Sequence, residues 1–282
     1  MSADLTPGAP RPRLIDVLAG HDGVLLDAYG VLVDASGVLP GAVELIAHLD
    51  AGAVPHAVVT NDASRAPATI ARRLAGYGLP IPAERIFTSG MLLTAALRAR
   101  DLAGAAVCVL GPAEAADYAH AAGATTVAAR PGMHLDVLAL SDDAGYDFLP
   151  ALEAVLSALV RAVDAGRQPV LLLPNPDLVY PKSPDELGFT AGAAALMLEA
   201  ALARRFGPRA PRFVRLGKPQ PDLLHLAAGA LSSQRPVMVG DQLETDIAAA
   251  AAAGMAGALI EGVSRWRSDP DLPRPTYLLS GL

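Results

Sequence analysis

The sequence predicts an α/β protein with a doubly wound, mostly parallel sheet and an inserted α/β domain. Two observations lead to this prediction. Short apolar runs typical of buried strands alternate with helix-like runs along the 282 residues, which is the pattern of parallel sheets covered by helices on both faces. Several of these runs also end at a carboxylate or another polar residue, and open α/β sheets bind ligands at the carboxyl ends of their strands.

The individual elements follow from these runs. Four apolar runs predict strands of the main sheet, at residues 23–26, 56–59, 212–216 and 237–239. Helical patterns are predicted at residues 42–52 and 66–76, and a glycine closes each of them. A second series begins near Ile86 and ends near Lys182, with strands at 107–110, 137–140 and 170–173 and helices at 113–122 and 148–164.

This second series is long enough to form a small domain of its own. We expect a disordered tail at residues 1–12, a core domain built from residues 13–85 and 186–282, and an inserted domain at residues 86–185. A further helix at residues 191–203 is expected to pack on the core sheet.

Composition limits the partners that the chain can have. A net charge of -7 without a basic block argues against a nucleic-acid surface. The longest uncharged apolar stretch, residues 247–260, is too short to span a bilayer. The one cysteine, Cys108, excludes an internal disulfide and fits a reducing compartment. We therefore expect a soluble, cytoplasmic protein with no nucleic-acid or membrane partner.

Asp27 is the first candidate for chemistry. It follows the predicted strand 23–26, and Gly30 supplies the turn that comes next. A carboxylate at this place can attack phosphorus, as in enzymes that form an aspartyl-phosphate. Taken alone, Asp27 is equally compatible with a residue that only caps the strand.

Two later strand ends carry groups that suit a phosphoryl ligand. The hydroxyl of Thr60 and the amide of Asn61 can hold a phosphoryl oxygen by neutral hydrogen bonds, although a simple turn is the alternative. Lys218 is one of only two lysines, against twenty arginines. Its compact ammonium suits a crowded site with carboxylates and a phosphoryl group, whereas the alternative is a surface lysine.

A pair of carboxylates follows the predicted strand 237–239. Asp241 lies at the strand end and Asp246 at the start of the next helix, so the two can hold one hard cation. Mg²⁺ needs few protein oxygens, and Asp27, Asp241 and the backbone carbonyl of Tyr29 would suffice. For Asp246 the alternative is a charge at a helix N-terminus.

The order of these motifs resembles the haloacid dehalogenase-like hydrolase superfamily. The large insert between the second and third motifs is similar to subfamily IIA, the type of the N-acetylglucosamine-operon phosphatases. The resemblance covers about residues 14–263 and implies a Rossmann-like core, with the inserted segment at residues 86–185 as an α/β cap domain. It rests on Asp27, Thr60-Asn61, Lys218 and Gly240-Asp241 with Thr245-Asp246.

The resemblance also implies roles. Asp27 would be the nucleophile, Lys218 would neutralise charge, and Asp241 with Asp246 would hold Mg²⁺. The second motif would contact the phosphoryl group of a small phosphorylated substrate. Caps of this kind often form dimer contacts in the family, so a homodimer is compatible with the sequence.

The sequence departs from the family at Tyr29. Phosphatases of this family carry a second Asp there, two residues after the nucleophile, as general acid and base. Free tyrosine has a pKa of about 10 and donates a proton weakly at neutral pH. General acid–base catalysis is worth roughly 10²–10⁴-fold, which is the loss that the replacement implies.

Three interpretations stay open. The first is a slow or specialised Mg²⁺-dependent phosphatase, with Asp34 or Asp62 as a substitute acid unless both only form turns. The second is a dehalogenase, because Asp-Ala-Tyr-Gly resembles the opening motif of L-2-haloacid dehalogenases. The third is a non-catalytic protein that binds a phosphoryl ligand. Near the return from the insert, Asn175 and Asp177 are predicted to contact the substrate, or else to form a hinge.

Overall fold

The computed structural model describes residues 11–183, 186–261 and 271–282. Fifteen strands are present in this part of the chain: β1 (Gly23–Leu26), β2 (Val33–Asp34), β3 (Gly37–Val38), β4 (His56–Thr60), β5 (Ile86–Thr88), β6 (Ala106–Leu110), β7 (Thr125–Thr126), β8 (Val137–Leu140), β9 (Val170–Leu173), β10 (Val179–Ser183), β11 (Glu186–Phe189), β12 (Phe213–Arg215), β13 (Pro236–Gly240), β14 (Ala256–Ile260) and β15 (Tyr277–Leu279).

The α-helices alternate with these strands: α1 (Leu14–Leu18), α2 (Ala42–Ala51), α3 (Pro67–Gly76), α4 (Ser89–Ala99), α5 (Ala116–Ala121), α6 (Phe148–Asp164), α7 (Ala191–Phe206), α8 (Asp222–Leu231) and α9 (Ala248–Ala252). None of the helices in the described ranges is long and apolar enough to cross a membrane. The predicted tail at residues 1–12 lies outside the described residues except for Arg11 and Pro12.

The main sheet has six strands in the order β15-β14-β13-β1-β4-β5. The four pairs from β15 to β4 are parallel. Every residue of β1, β4 and β13 is buried, as expected for strands covered on both faces. Leu26 of β1 is in register with Val58 of β4 and Val239 of β13, so the three central strands end at the same level.

A second sheet of five parallel strands has the order β12-β9-β8-β6-β7. Its helices α6 and α7 contribute apolar side chains to one buried cluster with the strands, which includes Leu138, Leu159 and Leu198. The predicted second α/β series is therefore present. Both sheets fit the predicted fold class, α/β with parallel sheets.

The prediction was wrong about two elements between residues 186 and 217. The strand expected at 212–216 in the main sheet is β12, which pairs with β9 of the second sheet, Phe213 lying opposite Leu171. The helix expected on the core sheet is α7, and its Leu198 and Leu202 pack in the same cluster as Phe213. Burial of these apolar side chains, which local periodicity does not reveal, decides the sheet to which they belong.

The chain divides into two compact units. The first contains the described residues up to Thr60, Pro67–Phe87, and those from Lys218 onwards; the second contains Asn61–Ala66 and Thr88–Gly217. The predicted start of the insert at residue 86 is close to this division. Its predicted end at residue 185 differs, because the second unit extends to Gly217.

The assignment of β12 predicts an asymmetry between two adjacent residues. Phe213 is 5% exposed and Val214 is 40% exposed, because neighbours on a strand point to opposite faces. Phe213→Ala should lower the free energy of unfolding of the second unit by about 3–5 kcal/mol. Val214→Ala, the matched control, should cost less than about 1 kcal/mol.

Native-state hydrogen exchange measures this difference strand by strand. In Phe213→Ala, amide protection should fall in β8 and β9 and be retained in β1 and β13. A fall in β13 with β9 unchanged would contradict the placement of β12.

Candidate active site

Asp27 lies directly after β1, at the level where the three central strands end. Its backbone N–H donates to the Val239 carbonyl at 2.9 Å, which extends the pairing with β13 by one residue. The side chain is largely buried, and its Oδ1 accepts a hydrogen bond from the Ala28 N–H at 2.8 Å. The carboxylate is thus fixed at the carboxyl edge of the sheet, as the sequence predicted.

Lys218 joins two of the predicted carboxylates. Its Nζ is 2.8 Å from Asp27 Oδ1 and 2.6 Å from Asp246 Oδ1, and it donates to the Val59 carbonyl at 3.2 Å. The side chain is only 2% exposed, so the alternative of a surface lysine is excluded. Burial disfavours the charged ammonium, but the carboxylates of Asp246 and Asp27 outweigh it and raise the pKa of Lys218 above its ordinary value.

Asp246 belongs to an irregular turn after β13. The segment Leu243–Ile247 forms one π-helical turn, a distortion that is frequent at functional sites. The Gln242 N–H donates to Asp246 Oδ2 at 3.2 Å, while Oδ1 faces Lys218. The side chain is completely buried. Asp246 is therefore an internal member of the cluster and not a solvent-facing charge at a helix start.

Two glycines let the carboxylates come close to the backbone. A Cβ on Gly30 would lie 2.4 Å from Cγ of Asp241, and a Cβ on Gly240 would lie 2.2 Å from Cγ of Asp246. Gly30 also has φ +89°, in the left-handed region that favours glycine. The sequence predicts only a turn at Gly30, and its approach to Asp241 has no local signal because the two residues are far apart in the chain. The approach of Gly240 to Asp246, six residues later, was not predicted either.

The cluster fits a hard divalent cation. Carboxylate oxygens of Asp27, Asp241 and Asp246 lie within 4.8 Å of one another, and all three residues are buried. With all three ionised, one ammonium against three carboxylates leaves an excess of two negative charges. Burial raises the pKa of Asp27 well above its ordinary value; Lys218 opposes this rise, and Asp246 and Asp241 add to it. A cation bound to these oxygens would compensate that charge.

Tyr29 is half-buried two residues after Asp27, in the turn that leads to β2. It forms an isolated bridge with Val33, whose carbonyl accepts the Gly30 N–H at 2.8 Å. The backbone at this position is therefore fixed by the turn. That its carbonyl serves as a metal ligand, and its side chain as a substrate contact, stays a prediction.

The two carboxylates considered as substitute acids are engaged in turns. Asp34 Oδ1 accepts hydrogen bonds from the hydroxyl and the N–H of Ser36, and these lower the pKa of Asp34. An acid with a lowered pKa is ionised at neutral pH and has no proton to donate. Asp62 accepts from Ser64 N–H at 2.8 Å and from Arg65 Nη1 at 2.9 Å. These contacts support turn formation for both residues.

The remaining predicted residues are divided between the units. Thr60 is the buried last residue of β4 in the first unit, and Asn61, the next residue, belongs to the second unit. Asn61 Nδ2 donates to Asp177 Oδ1 at 2.8 Å, and Asn175 Oδ1 accepts the Asp177 N–H at 3.2 Å. The structure thus brings together Asn61, Asn175 and Asp177, which the sequence predicted without relating them.

The chain is similar to known proteins along most of its length. A family model for haloacid dehalogenase-like hydrolases matches residues 24–125, and a HAD-hydrolase-like model matches residues 215–282. Chronophin of Mus musculus is 31% identical over 270 residues, which are 89% of this chain and 85% of that protein. Dihydroxyacetone phosphatase of Corynebacterium glutamicum is 28% identical over 272 residues, 95% of this chain and 89% of that protein.

Solved structures show the same architecture. A possible sugar phosphatase of the HAD superfamily from Cytophaga hutchinsonii has a TM-score of 0.83 at 27% identity, covering 97% of this chain and 98% of that one. Glycerol phosphate phosphatase from Mycobacterium tuberculosis, in complex with magnesium, has a TM-score of 0.76 at 25% identity, covering 93% and 76%.

The carboxylate cluster predicts that a divalent cation stabilises the fold. A cation at one hundred times its dissociation constant adds about 2.7 kcal/mol, so the melting temperature should rise with Mg²⁺ or Ca²⁺. Asp241→Asn should abolish this rise without lowering metal-free stability, because it removes one of the mutually repelling charges. Glu244→Gln, in the same turn but exposed, is the control and should keep the rise.

Thermal unfolding monitored by circular dichroism, with each cation and with EDTA, makes the comparison. An equal rise in wild type and Asp241→Asn would place the cation elsewhere.

Proposed function

The chain belongs to the haloacid dehalogenase-like hydrolases, and from this we propose that it is a Mg²⁺-dependent phosphatase that acts on a small phosphorylated metabolite through an aspartyl-phosphate at Asp27. The observation that carries the proposal is the buried cluster of Asp27, Lys218, Asp241 and Asp246. A dehalogenase displaces halide from carbon and needs no metal, whereas this cluster retains the groups that a phosphate ester and a metal require.

The relatives support the substrate class. The similar proteins include phosphatases named for dihydroxyacetone, sugars and D-glycerol 3-phosphate, all small phosphorylated compounds or their products. The relative that was solved with magnesium was also solved with calcium. Oxygen ligands from carboxylates suit both cations, so Mg²⁺ is proposed on the family's chemistry and on the donor set.

Asp27 performs the first step. Both contacts described for its carboxylate are made by Oδ1, to the Ala28 N–H and to Lys218 Nζ, which makes Oδ2 the candidate nucleophilic atom. Oδ2 bonds to phosphorus while the bond from phosphorus to the leaving-group oxygen breaks. Water then attacks phosphorus, releases inorganic phosphate and regenerates the carboxylate.

Lys218 and the acidic pair prepare the site for this chemistry. Bound at Asp27, Asp241 and Asp246, Mg²⁺ would supply positive charge to the phosphoryl oxygens and permit a carboxylate to approach them. Lys218 orients Asp27 through Oδ1 and contributes a permanent positive charge, since its raised pKa keeps it protonated at neutral pH. Thr60 and Asn61 are proposed to hold the phosphoryl group by hydrogen bonds.

We propose that residues of the second unit contribute contacts to the substrate. Asn175 and Asp177 are candidates for contacts near the leaving group, and Tyr29 occupies the position of the general acid. Because a phenol is a weak proton donor at neutral pH, we expect the enzyme to favour leaving groups that depart without a proton, such as acyl or aryl oxygens. A homodimer is compatible with this arrangement.

The function is tested by measuring phosphate release from p-nitrophenyl phosphate and acetyl phosphate, with Mg²⁺ and with EDTA. A parallel assay measures halide release from L-2-chloropropionate. We expect phosphate release that requires Mg²⁺ and is lost in Asp27→Asn, with no halide release. Metal-independent halide release would favour the dehalogenase. A folded protein that binds phosphate and turns over none of the substrates would favour the non-catalytic binder.

Tyr29→Asp should restore the missing general acid. Activity on a phosphate ester with a poor leaving group, glycerol phosphate, should rise by up to roughly 10²-fold, within the range for general acid catalysis. Activity on acetyl phosphate should change little, because its leaving group needs no proton. The measurement is kcat/KM for both substrates, with Tyr29→Phe as the control that removes only the hydroxyl. A fall on both substrates in Tyr29→Asp would show that the phenol has a positive role.

A further inference from the structure

Asn61 is fixed within the second unit, although the residue before it ends a strand of the first. Its backbone carbonyl accepts the hydroxyl of Ser89, the first residue of α4, at 2.9 Å. Four residues later the Arg65 carbonyl accepts the hydroxyl of Tyr118 at 2.7 Å. Ser89 is completely buried and Tyr118 nearly so. The segment Asn61–Ala66 is therefore held at both ends by buried hydroxyls.

The side chain of Asn61 is confined as well. Asn61 Nδ2 donates to Asp177 Oδ1 at 2.8 Å, a hydrogen bond to a charged acceptor and so among the stronger kinds. On the side of its Oδ1, a Cβ on Gly217 would lie only 2.5 Å away. The amide is thus enclosed between a carboxylate and the bare backbone of a glycine, and Asn61 is 5% exposed.

Asp177 is itself anchored by the start of α7. Its carbonyl accepts the Gly192 N–H at 3.0 Å and the hydroxyl of Thr190, the residue before α7. Its N–H donates to Asn175 Oδ1 at 3.2 Å. These contacts fix the backbone of Asp177, from which its carboxylate reaches the amide of Asn61.

We propose that Asp177 is a positioning residue, which orients Asn61 for its contact with the phosphoryl group instead of contacting the leaving group itself. The inference rests on the proposed function, in which Asn61 makes that contact. A carboxylate placed directly against a phosphoryl group would repel it, since both are negative. The neutral amide of Asn61 lies between the two negative groups, and its hydrogen bond to Asp177 sets the direction in which it meets the phosphoryl group.

This role predicts a loss that does not depend on the leaving group. In Asp177→Ala, kcat/KM should fall by roughly 10- to 100-fold, the range for one hydrogen bond to a charged group. The factor should be equal for p-nitrophenyl phosphate, acetyl phosphate and glycerol phosphate, since these share only the phosphoryl group. Asp177→Asn, of equal size and still able to accept, should lose less. Asp117→Ala, an exposed carboxylate in α5, is the control.

A double-mutant cycle with Asn61 separates positioning from direct contact. If Asp177 acts through Asn61, adding Asp177→Ala or Asp177→Asn to Asn61→Ala should cost less than about twofold more. If the losses in kcat/KM of the two single variants multiply in the double variant, the positioning role is overturned and Asp177 contacts the substrate directly. A loss in Asp177→Ala that is confined to one leaving group would lead to the same conclusion.

One readout is independent of turnover. The side-chain amide signal of Asn61, identified by its absence in Asn61→Ala, should shift and exchange faster with solvent in Asp177→Ala. An unmoved signal would overturn the inference whatever the activity. If wild type hydrolyses none of the three phosphorylated substrates, the proposed function fails instead, so the two failures are distinguishable.

Discussion

The ammonium of Lys218, buried between Asp27 and Asp246 at 2.8 and 2.6 Å, is the interaction on which the candidate site depends. Transfer of these charges out of water is unfavourable, and their mutual attraction together with hydrogen bonds to backbone groups offsets it. Removal of one partner from a buried pair typically costs about 3–5 kcal/mol, because the remaining charge has no compensation. Lys218 contacts Asp27 through one carboxylate oxygen, Oδ1. Its single positive charge leaves the three carboxylates with excess negative charge. The same contacts therefore position the proposed nucleophile and leave a charge that a bound cation would compensate.

The sheet makes this concentration of charge feasible. Leu26, Val58 and Val239 are in register, so the residues that follow β1, β4 and β13 lie at one edge of the sheet. The apolar side chains of these strands stabilise the fold. Gly30 and Gly240 lack the Cβ atoms that would clash with the carboxylates of Asp241 and Asp246. The sequence predicts that Tyr29 replaces the proton donor of the family pattern. The described cluster of Asp27, Asp241 and Asp246 does not include Tyr29, so we expect a change in leaving-group preference with the metal requirement retained.

Much of the first unit could be predicted because its signals are local. The strand at residues 23–26 was predicted with its observed bounds, and the strand before Asp241 to within one residue at each end. A short apolar run followed by a polar residue indicates a buried strand end. The sheet to which Phe213 belongs could not be predicted, because strand propensity does not choose a partner strand. The link from Asn61 to Asp177 spans 116 positions, and no local pattern carries it. The contact between Gly30 and Asp241 is equally non-local.

The central claim, that Asp27 is the covalent nucleophile, is tested most directly by trapping the intermediate. Borohydride reduces an acyl phosphate to the alcohol, so reduction during turnover of p-nitrophenyl phosphate with Mg²⁺ should convert Asp27 to homoserine. Peptide mass spectrometry should find this change only at position 27, and only when substrate and metal are both present. Reduction at another carboxylate would contradict the claim. The claim would also be contradicted if Asp27 stayed unmodified while the enzyme was turning over substrate. The borohydride conditions must first be shown to reduce free acetyl phosphate.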